Sequence, residues 1–347
     1  MNHAELINIG VVGCGYWGPN LIRNFSSLPN CRVKWACDVR PERLERIEQL
    51  YPGVRTTVHI DQVLDDPEVE AVAIATPVFT HFELGAKVLS AGKHTLIEKP
   101  MASSAEQCQE LIEMAKERGL ALMVGHTFIY APAVRKIKAL IDSGEIGDVL
   151  YISSRRLNLG LFQTDINVAW DLAPHDISII LYLLDVDPVS VNCQGKAHVT
   201  PHIEDVTNIS LNFANGGFAL IHNSWLDPNK VRLTTVVGSN KMIVYDDTQP
   251  LEKIKVFDKR VEGPRRYDTF GDFHYSYHYG DTNSPFVIHE EPLKVLCRHF
   301  LDTIVNGSRP DSDGVNGLRV VQILEAASRS LASNGSLVSV TTRRADR

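Results

Sequence analysis

Three residues of this 347-residue chain, Lys99, Asp171 and His175, have the types and settings to move protons and stabilise charge. Lys99 stands in Glu98-Lys99-Pro100, directly after the apolar run Thr95-Leu96-Ile97, which reads as a strand. A lysine fixed there by a rigid proline aims its ammonium into the crevice beyond the strand ends, where open α/β sheets bind ligands. A Lys-Pro pair in an ordinary surface loop has no such meaning. Asp171 lies four residues before His175 in Trp170-Asp171-Leu172-Ala173-Pro174-His175-Asp176. The apolar positions Ile177, Ile180, Leu181 and Leu184 that follow form one helical face. Pro174 suits a first helical turn, which sets His175 near the helix N-terminus. A carboxylate beside an imidazole fixes its tautomer and raises its basicity, as a general base near neutral pH requires. The same spacing also fits Asp171 as a plain N-cap and His175 as a packed helix-start residue.

Gly13-Cys14-Gly15-Tyr16-Trp17-Gly18 carries the spacing GxGxxG, with Asp38 twenty residues after Gly18. A glycine turn that only permits tight packing needs no such context. Here the motif follows an apolar run (7–12), opens a helix-compatible segment, and Asp38 ends a second strand-like run (32–37). In that setting the glycines allow a tight turn, close approach of pyrophosphate, and strand–helix packing. The helix N-terminus offers N–H groups to the phosphates. Asp38 accepts from both ribose hydroxyls and repels a 2′-phosphate, so NAD is expected over NADP. Arg40 and Arg43 leave NADP open, since an arginine there pairs with a 2′-phosphate; as a solvated helix start they would not.

The elements that must position these residues alternate regularly in the first third. Strand-like runs at 7–12, 32–37, 71–75, 95–98 and 120–124 are separated by helical patterns at 20–27, 41–50, 79–91 and 104–118, which reads as parallel βαβ units in a doubly wound sheet. After Gly125 the texture changes to longer alternating segments at 149–157, 189–197, 206–213, 218–225, 231–237 and 241–245, which reads as an antiparallel or mixed sheet. A loop-rich stretch and closing helices over 293–305 and 318–333 follow. Two domains are expected, 1–125 and 126–347, with the last helices free to pack back on the first.

Composition narrows the partners. A net charge of −7 with 22% charged residues gives no nucleic-acid footprint, and pairs such as Arg155-Arg156 read as solvated faces. Six scattered cysteines without a CxxC pair fit small buried side chains in a reducing compartment, so a cytoplasmic location is expected. No stretch approaches the ~18 apolar residues of a membrane span. His198, His202, Glu204 and Asp205 superficially resemble a metal site, but Pro201 makes them a turn, and no metal is expected. Asp227-Pro228-Asn229-Lys230 likewise reads as a turn. The aromatic run from Tyr267 to Tyr279 suits sugar stacking, a subunit contact, or a loop over the sheet.

Taken together, the glycine loop, Asp38, Ala75-Thr76-Pro77 with His81, Glu98-Lys99-Pro100 and Asp171-xxx-His175 resemble the Gfo/Idh/MocA family of sugar and cyclitol oxidoreductases. The resemblance covers nearly the whole chain. It implies an α/β N-terminal Rossmann domain with a doubly wound parallel sheet, and an α+β C-terminal domain with a large, open, mostly antiparallel sheet. It implies that Lys99 contacts the reacting oxygen, that His175 is the acid/base, and that Asp171 assists it. Gly13, Gly15, Tyr16, Trp17, Gly18, Asp38, Arg40, Thr76, Pro77, His81, Glu98 and Lys99 match cofactor-lining positions. A Lys-Pro bond of this kind is often cis in relatives. The continuation Tyr16-Trp17-Gly18-Pro19-Asn20 looks like members acting on nucleotide sugars, which implies a UDP- or dTDP-linked hexose handled at C3. Inositol or a free sugar, or a non-catalytic sensor, are the alternatives. A homodimer or homotetramer is implied by resemblance alone. Trp170, Leu172 and Pro174 depart from the small residues common around Asp-xxx-His.

Overall fold

The computed structural model describes residues 6–263 and 275–340. The chain divides into two compact units, one gathering Met1–Ala131 and Glu290–Glu325, the other Pro132–His289 and Ala326–Thr341.

The first unit runs β1 (Ile7–Val12), α1 (Gly18–Ser26), β2 (Cys31–Cys37), α2 (Pro41–Leu50), β3 (Arg55–Thr57), α3 (Ile60–Leu64), β4 (Ala71–Ile74), α4 (His81–Ser90), β5 (His94–Ile97), α5 (Ala105–Arg118) and β6 (Leu122–Val124). The six strands pair in the order β3-β2-β1-β4-β5-β6, all parallel. This is the dinucleotide-binding order, with its switch point between β1 and β4, both flanked by covering helices. β4 is buried at every position, as a strand covered on both faces must be. Local signals explain the helix ends well. Ser104 caps α5 by accepting from the Gln107 N–H, and Gly119 ends it in the left-handed region. Short β3 and α3 carry too little periodicity to be read from sequence.

The second unit holds α6 (Pro132–Asp142), β7 (Val149–Leu159), α7 (Val168–Leu184), β8 (Pro188–Lys196), β9 (Val206–Phe213), β10 (Phe218–Ser224), β11 (Leu226–Gly238), β12 (Met242–Asp246), β13 (Ile254–Glu262) and β14 (Ser276–Asn283). After it come α8 (Pro292–Asn306), α9 (Gly314–Ala332) and β15 (Val338–Ser339). Its nine-stranded sheet has the order β14-β13-β12-β11-β7-β10-β9-β8-β15. Only β7 and β10 pair in parallel; the other neighbours are antiparallel. α7 lies against β7, β9 and β10 and is buried nearly all round, as its apolar composition demands.

Three expectations are corrected, and the freedom left to the last helices is taken up by α8. The stretch after residue 245 is not simply loop: β13 and β14 extend the sheet, with side chains too polar and exposed to alternate cleanly. Asp227–Lys230 is not a turn between strands but a register shift inside β11, between Leu226 and Val231. Arg156 is not a solvated residue but is buried beneath α7. α8 belongs with the first unit, where Phe300 meets Phe25 edge-on at 6.4 Å and Glu291 pairs with Arg23 at 2.7 Å. Burying aromatics of that size contributes roughly 1.5–3 kcal/mol each. Of the aromatic run, Tyr267, Phe270, Phe273 and His274 lie outside the described residues.

Candidate active site

In the first unit the functional residues sit at the carboxyl edge of the sheet. β1 ends in Gly13, whose φ of +93° favours glycine, and a Cβ there would lie 2.6 Å from the Ala75 carbonyl. A Cβ on Gly18 would meet the Gly13 carbonyl at 1.9 Å. At Gly15 the three atoms nearest such a Cβ belong to the Arg43 guanidinium, none closer than 3.4 Å. The loop backbone is therefore open to an incoming pyrophosphate. Trp17, at the N-cap of α1, makes no side-chain hydrogen bond to the helix, so a phosphate at this N-terminus would have none to displace. Tyr16 and Trp17 pack edge-on at 5.3 Å on the exposed rim of the loop.

Asp38, at the end of β2, is buried and anchored by three donors. The Cys14 N–H (2.7 Å) and Arg43 Nη1 (3.2 Å) reach Oδ2, and the Arg40 N–H (2.9 Å) reaches Oδ1. Arg40 thus contributes its backbone while its side chain is exposed. These features fit a dinucleotide: glycines where the backbone must come close, bare N–H groups for phosphate, and a carboxylate one strand away for ribose.

β4 leads to Thr76 and Pro77, and β5 to Glu98, Lys99 and a cis Lys99-Pro100 bond. His81 joins the two loops. Its Nδ1 lies 2.8 Å from the Pro100 carbonyl and its Nε2 2.8 Å from the Thr76 carbonyl. Both partners accept, so a neutral ring donates to only one of them. Burial lowers the His81 pKa, and the two carbonyls pull the other way. Thr80 Oγ1 lies 2.7 Å from Thr76 Oγ1 and steadies the same loop.

Behind Lys99 stand two more buried titratable groups. Burial pushes Glu98 up to about 7, opposed by the Lys99 charge and by the Lys99 N–H that donates to Oε2 at 3.2 Å. Gly125 makes room for it, since a Cβ there would lie 2.8 Å from Oε2. His126 is pulled down to about 4 by burial, against the pull of Asn316, whose Oδ1 accepts from Nδ1 at 2.6 Å. Lys99's charge also lowers the pKa of His126 and His81. Sequence reading missed His126 and Asn316, which are 190 residues apart.

In the second unit, α7 begins at Asn167, whose Oδ1 accepts from the Trp170 N–H at 3.2 Å. This corrects the expected start: Pro174 lies inside the helix, and His175 is two turns in. Asn167 has the better capping chemistry, and the buried surroundings tolerate the proline. Asp171 is therefore not the N-cap. Asp171 and His175, one turn apart, are only partly buried, whereas Ala173, Pro174, Asp176 and Ile177 are buried. Asp171 Oδ2 accepts from the Trp225 indole N–H at 3.1 Å. Trp225 is buried, tilted against Phe162 at 5.3 Å, and its backbone N–H donates to the Asp205 carbonyl.

Beneath His175, Asp176 receives both Arg156 Nε (3.0 Å) and Nη2 (3.1 Å), along with Ser154 Oγ (2.8 Å). Neither Trp225 nor Arg156 carried a sequence signal. Asp205 holds the 198–205 turn, taking the His198 ring at 2.7 Å and the His198 and Val199 N–H groups. Among the described residues, no group of three His, Cys, Asp or Glu side chains is arranged to hold a metal ion.

With this geometry in place, similarity to known proteins becomes informative. Residues 7–126 match the oxidoreductase family with an NAD-binding Rossmann fold, and residues 134–244 match the C-terminal domain of the same family. The chain belongs to the Gfo/Idh/MocA oxidoreductases. It is 32% identical over 201 residues to UDP-N-acetylglucosamine 3-dehydrogenase of Acidithiobacillus ferrooxidans, covering 57% of this chain and 61% of that one. It is also 32% identical over 246 residues to inositol 2-dehydrogenase/D-chiro-inositol 3-dehydrogenase of Lactiplantibacillus plantarum, covering 69% and 65%. The matched segments thus span just under two thirds of either relative. The crystal structure of the Acidithiobacillus dehydrogenase superposes with a TM-score of 0.77 at 25% identity, over 94% of this chain and 98% of that one.

Proposed function

We propose that the protein is an NAD-dependent dehydrogenase that interconverts a secondary ring hydroxyl and a ketone of a sugar. The observation that carries this is on α7: Asp171 and His175, one turn apart, are partly exposed while residues 176–181 are all buried, and the Trp225 indole N–H holds Asp171. NAD, when bound, supplies the hydride acceptor or donor. In oxidation, the hydroxyl must lose its proton as hydride leaves the carbon. His175 accepts that proton, Asp171 orients the imidazole and stabilises its charged form, and the Lys99 ammonium stabilises the developing alkoxide. In reduction the same groups work in reverse. Gly13, Gly15, Tyr16, Trp17, Gly18, Asp38, Thr76 and Pro77 line the cofactor, while His81 and Glu98 hold the Lys99 turn from behind.

The proposed substrate is a nucleotide-linked hexose handled at C3, supported by the UDP-N-acetylglucosamine 3-dehydrogenase likeness and the Tyr16-Trp17 loop. Inositol is the second reading, favoured by an equal identity to the inositol dehydrogenase. Six buried free cysteines suit a reducing, cytoplasmic setting. No helix of the described residues is long and apolar enough to cross a membrane.

The test is a turnover assay with NAD and NADP against UDP- and dTDP-hexoses, inositols and free sugars. Lys99→Met should lower turnover on the best substrate by orders of magnitude while NADH titration shows retained binding. Near-normal turnover of that variant would overturn the assignment, and no turnover on any sugar would favour a sensor.

A further inference from the structure

The register shift in β11 puts a cation beside the proposed acid/base pair. Between Leu226 and Val231 the pairing with β7 slips, while Asp227-Pro228-Asn229-Lys230 stays extended. A proline is tolerated at such an irregularity. β12 pairs with β11 only over Leu233–Val237, which leaves the 227–230 stretch with an open edge. The pairing around it fixes which way it faces. Arg156 on β7 pairs with Asn223 on β10 and with Arg232 on β11. This row faces α7, because Arg156 Nε (3.0 Å) and Asn223 Nδ2 (3.4 Å) both donate to Asp176 Oδ2. Side chains alternate along a strand, so one pleat further the row on this face is Trp225, Asn158 and Lys230. Trp225 stays beside β7 through its carbonyl, which accepts from the Gly160 N–H at 3.0 Å, and its indole N–H holds Asp171. Lys230 thus stands two strand spacings, about 10 Å, from the anchor of Asp171.

Charge separates Lys230 from its neighbours. Arg156 is matched by Asp176 at 3.0 Å, and Arg232 by Asp247 at 3.4 Å. Among the described residues, no carboxylate lies within ion-pair distance of Lys230, which is exposed. The charge of Asp227 acts instead on His222, whose strand partner Arg155 belongs to the opposite face. We propose that Lys230 is a specificity-determining residue that pairs with an oxyanion carried by the substrate, a phosphate or a carboxylate attached to the sugar. This rests on the sugar dehydrogenase reading of Asp171 and His175. An ammonium on a flexible stem donates to an oxyanion from several directions, and the charge-assisted bond is stronger than one to a hydroxyl. The Asn158 amide, between Trp225 and Lys230, is left for ring hydroxyls. A neutral cyclitol gives Lys230 no charge to meet.

The test is calorimetric titration of the whole protein, with NADH present, using UDP-N-acetylglucosamine, glucuronate and myo-inositol. These carry a phosphate, a carboxylate alone, and neither. At least one of the two oxyanion ligands should bind wild type about tenfold more tightly than myo-inositol, and which one does so identifies the anion. Lys230→Met should remove that advantage and leave myo-inositol unchanged, whereas Lys230→Arg should keep most of it. Added salt should narrow the gap in wild type and not in Lys230→Met. If neither oxyanion ligand outbinds myo-inositol, or if Lys230→Met weakens all three alike, the assignment is wrong. Turnover is a separate readout: selective loss of oxyanion binding in Lys230→Met, with no NADH formed by wild type from any of the three with NAD, would uphold Lys230 and count against the dehydrogenase reading.

Discussion

Glu98 and His126 are both buried, and burial favours the neutral form of each, by raising the pKa of the acid and lowering that of the base. Their effects on stability have opposite signs. Glu98 folds with a pKa of about 7 against an ordinary 4.5, so between those values the native state holds a proton that the unfolded chain has lost, and stability falls as pH rises. His126, at about 4 against 6.5, makes stability rise with pH over that window. Near pH 4.5–6.5 the two nearly cancel. Glu98→Gln should therefore gain stability relative to wild type as pH rises, by about 1.4 kcal/mol per pH unit between pH 4.5 and 7. Urea unfolding at pH 4.5, 5.5 and 6.5 reads this directly, and a difference independent of pH would show that Glu98 is ionised throughout. Trp225 makes a second prediction at this scale. Trp225→Phe keeps most of the buried ring but removes the donor to Asp171, a bond to a charged group that contributes about 1.5–3 kcal/mol. Turnover should fall ten- to a hundredfold with a displaced pH profile and little change in KM. An unaltered pH profile would leave Trp225 with a packing role only.

Among the elements, α7 carries two of the proposed catalytic residues, Asp171 and His175. Its hold on the sheet is polar as well as apolar: Asp176 is buried and takes a two-pronged bond from Arg156 on β7. Removing one member of a buried pair strands the other charge, at a cost of about 3–5 kcal/mol, whereas replacing both with apolar groups of similar size is close to neutral. Arg156→Met should therefore destabilise by that amount, and Arg156→Met with Asp176→Leu should recover most of it. A double-mutant cycle by urea unfolding measures the coupling, and additive losses would argue against the pair. Because His175 precedes Asp176, the restored double variant should still show impaired turnover if the pair sets the helix register. The sequence revealed this helix through its apolar face but misplaced its start, because Pro174 is a stronger local signal than Asn167.

For the molecule as a whole, the large sheet leaves Phe218 and Leu220 exposed on the face turned away from α7. Directly paired residues share a face, so Phe218, Tyr151, Val237, Met242 and Phe257 form a row across five strands. Tyr151 and Phe218 stack at 5.4 Å. Nearer β8 the same face turns polar, around a concavity of about 440 Å³ lined by Ser153, Arg155, Asn192, Gln194, Asn208 and His222. A second copy of this chain is the proposed occupant, an apolar row bordered by polar groups being the anatomy of a subunit interface. On this proposal, wild type should run as an oligomer in light scattering after size exclusion and Phe218→Asp as a monomer. A mass unchanged by this substitution would place the interface elsewhere.

The sequence by itself determined the parallel alternation of the first unit, the place of the glycine loop with Asp38 and the ends of α5, and it nominated Lys99, Asp171 and His175 as candidate catalytic residues. These signals are local: a cap, a turn or a strand period depends on residues a few positions apart. Tertiary structure alone decided which polar groups are buried together. Trp225 meets Asp171 across 54 positions, Asn316 meets His126 across 190, and it is the Arg43 side chain that reaches Asp38, while Arg40 gives only its backbone N–H. α8 joins the first unit for the same reason, since Phe300 finds its apolar partner in Phe25. Which groups leave water together is set by long-range packing, and no short window of sequence contains it.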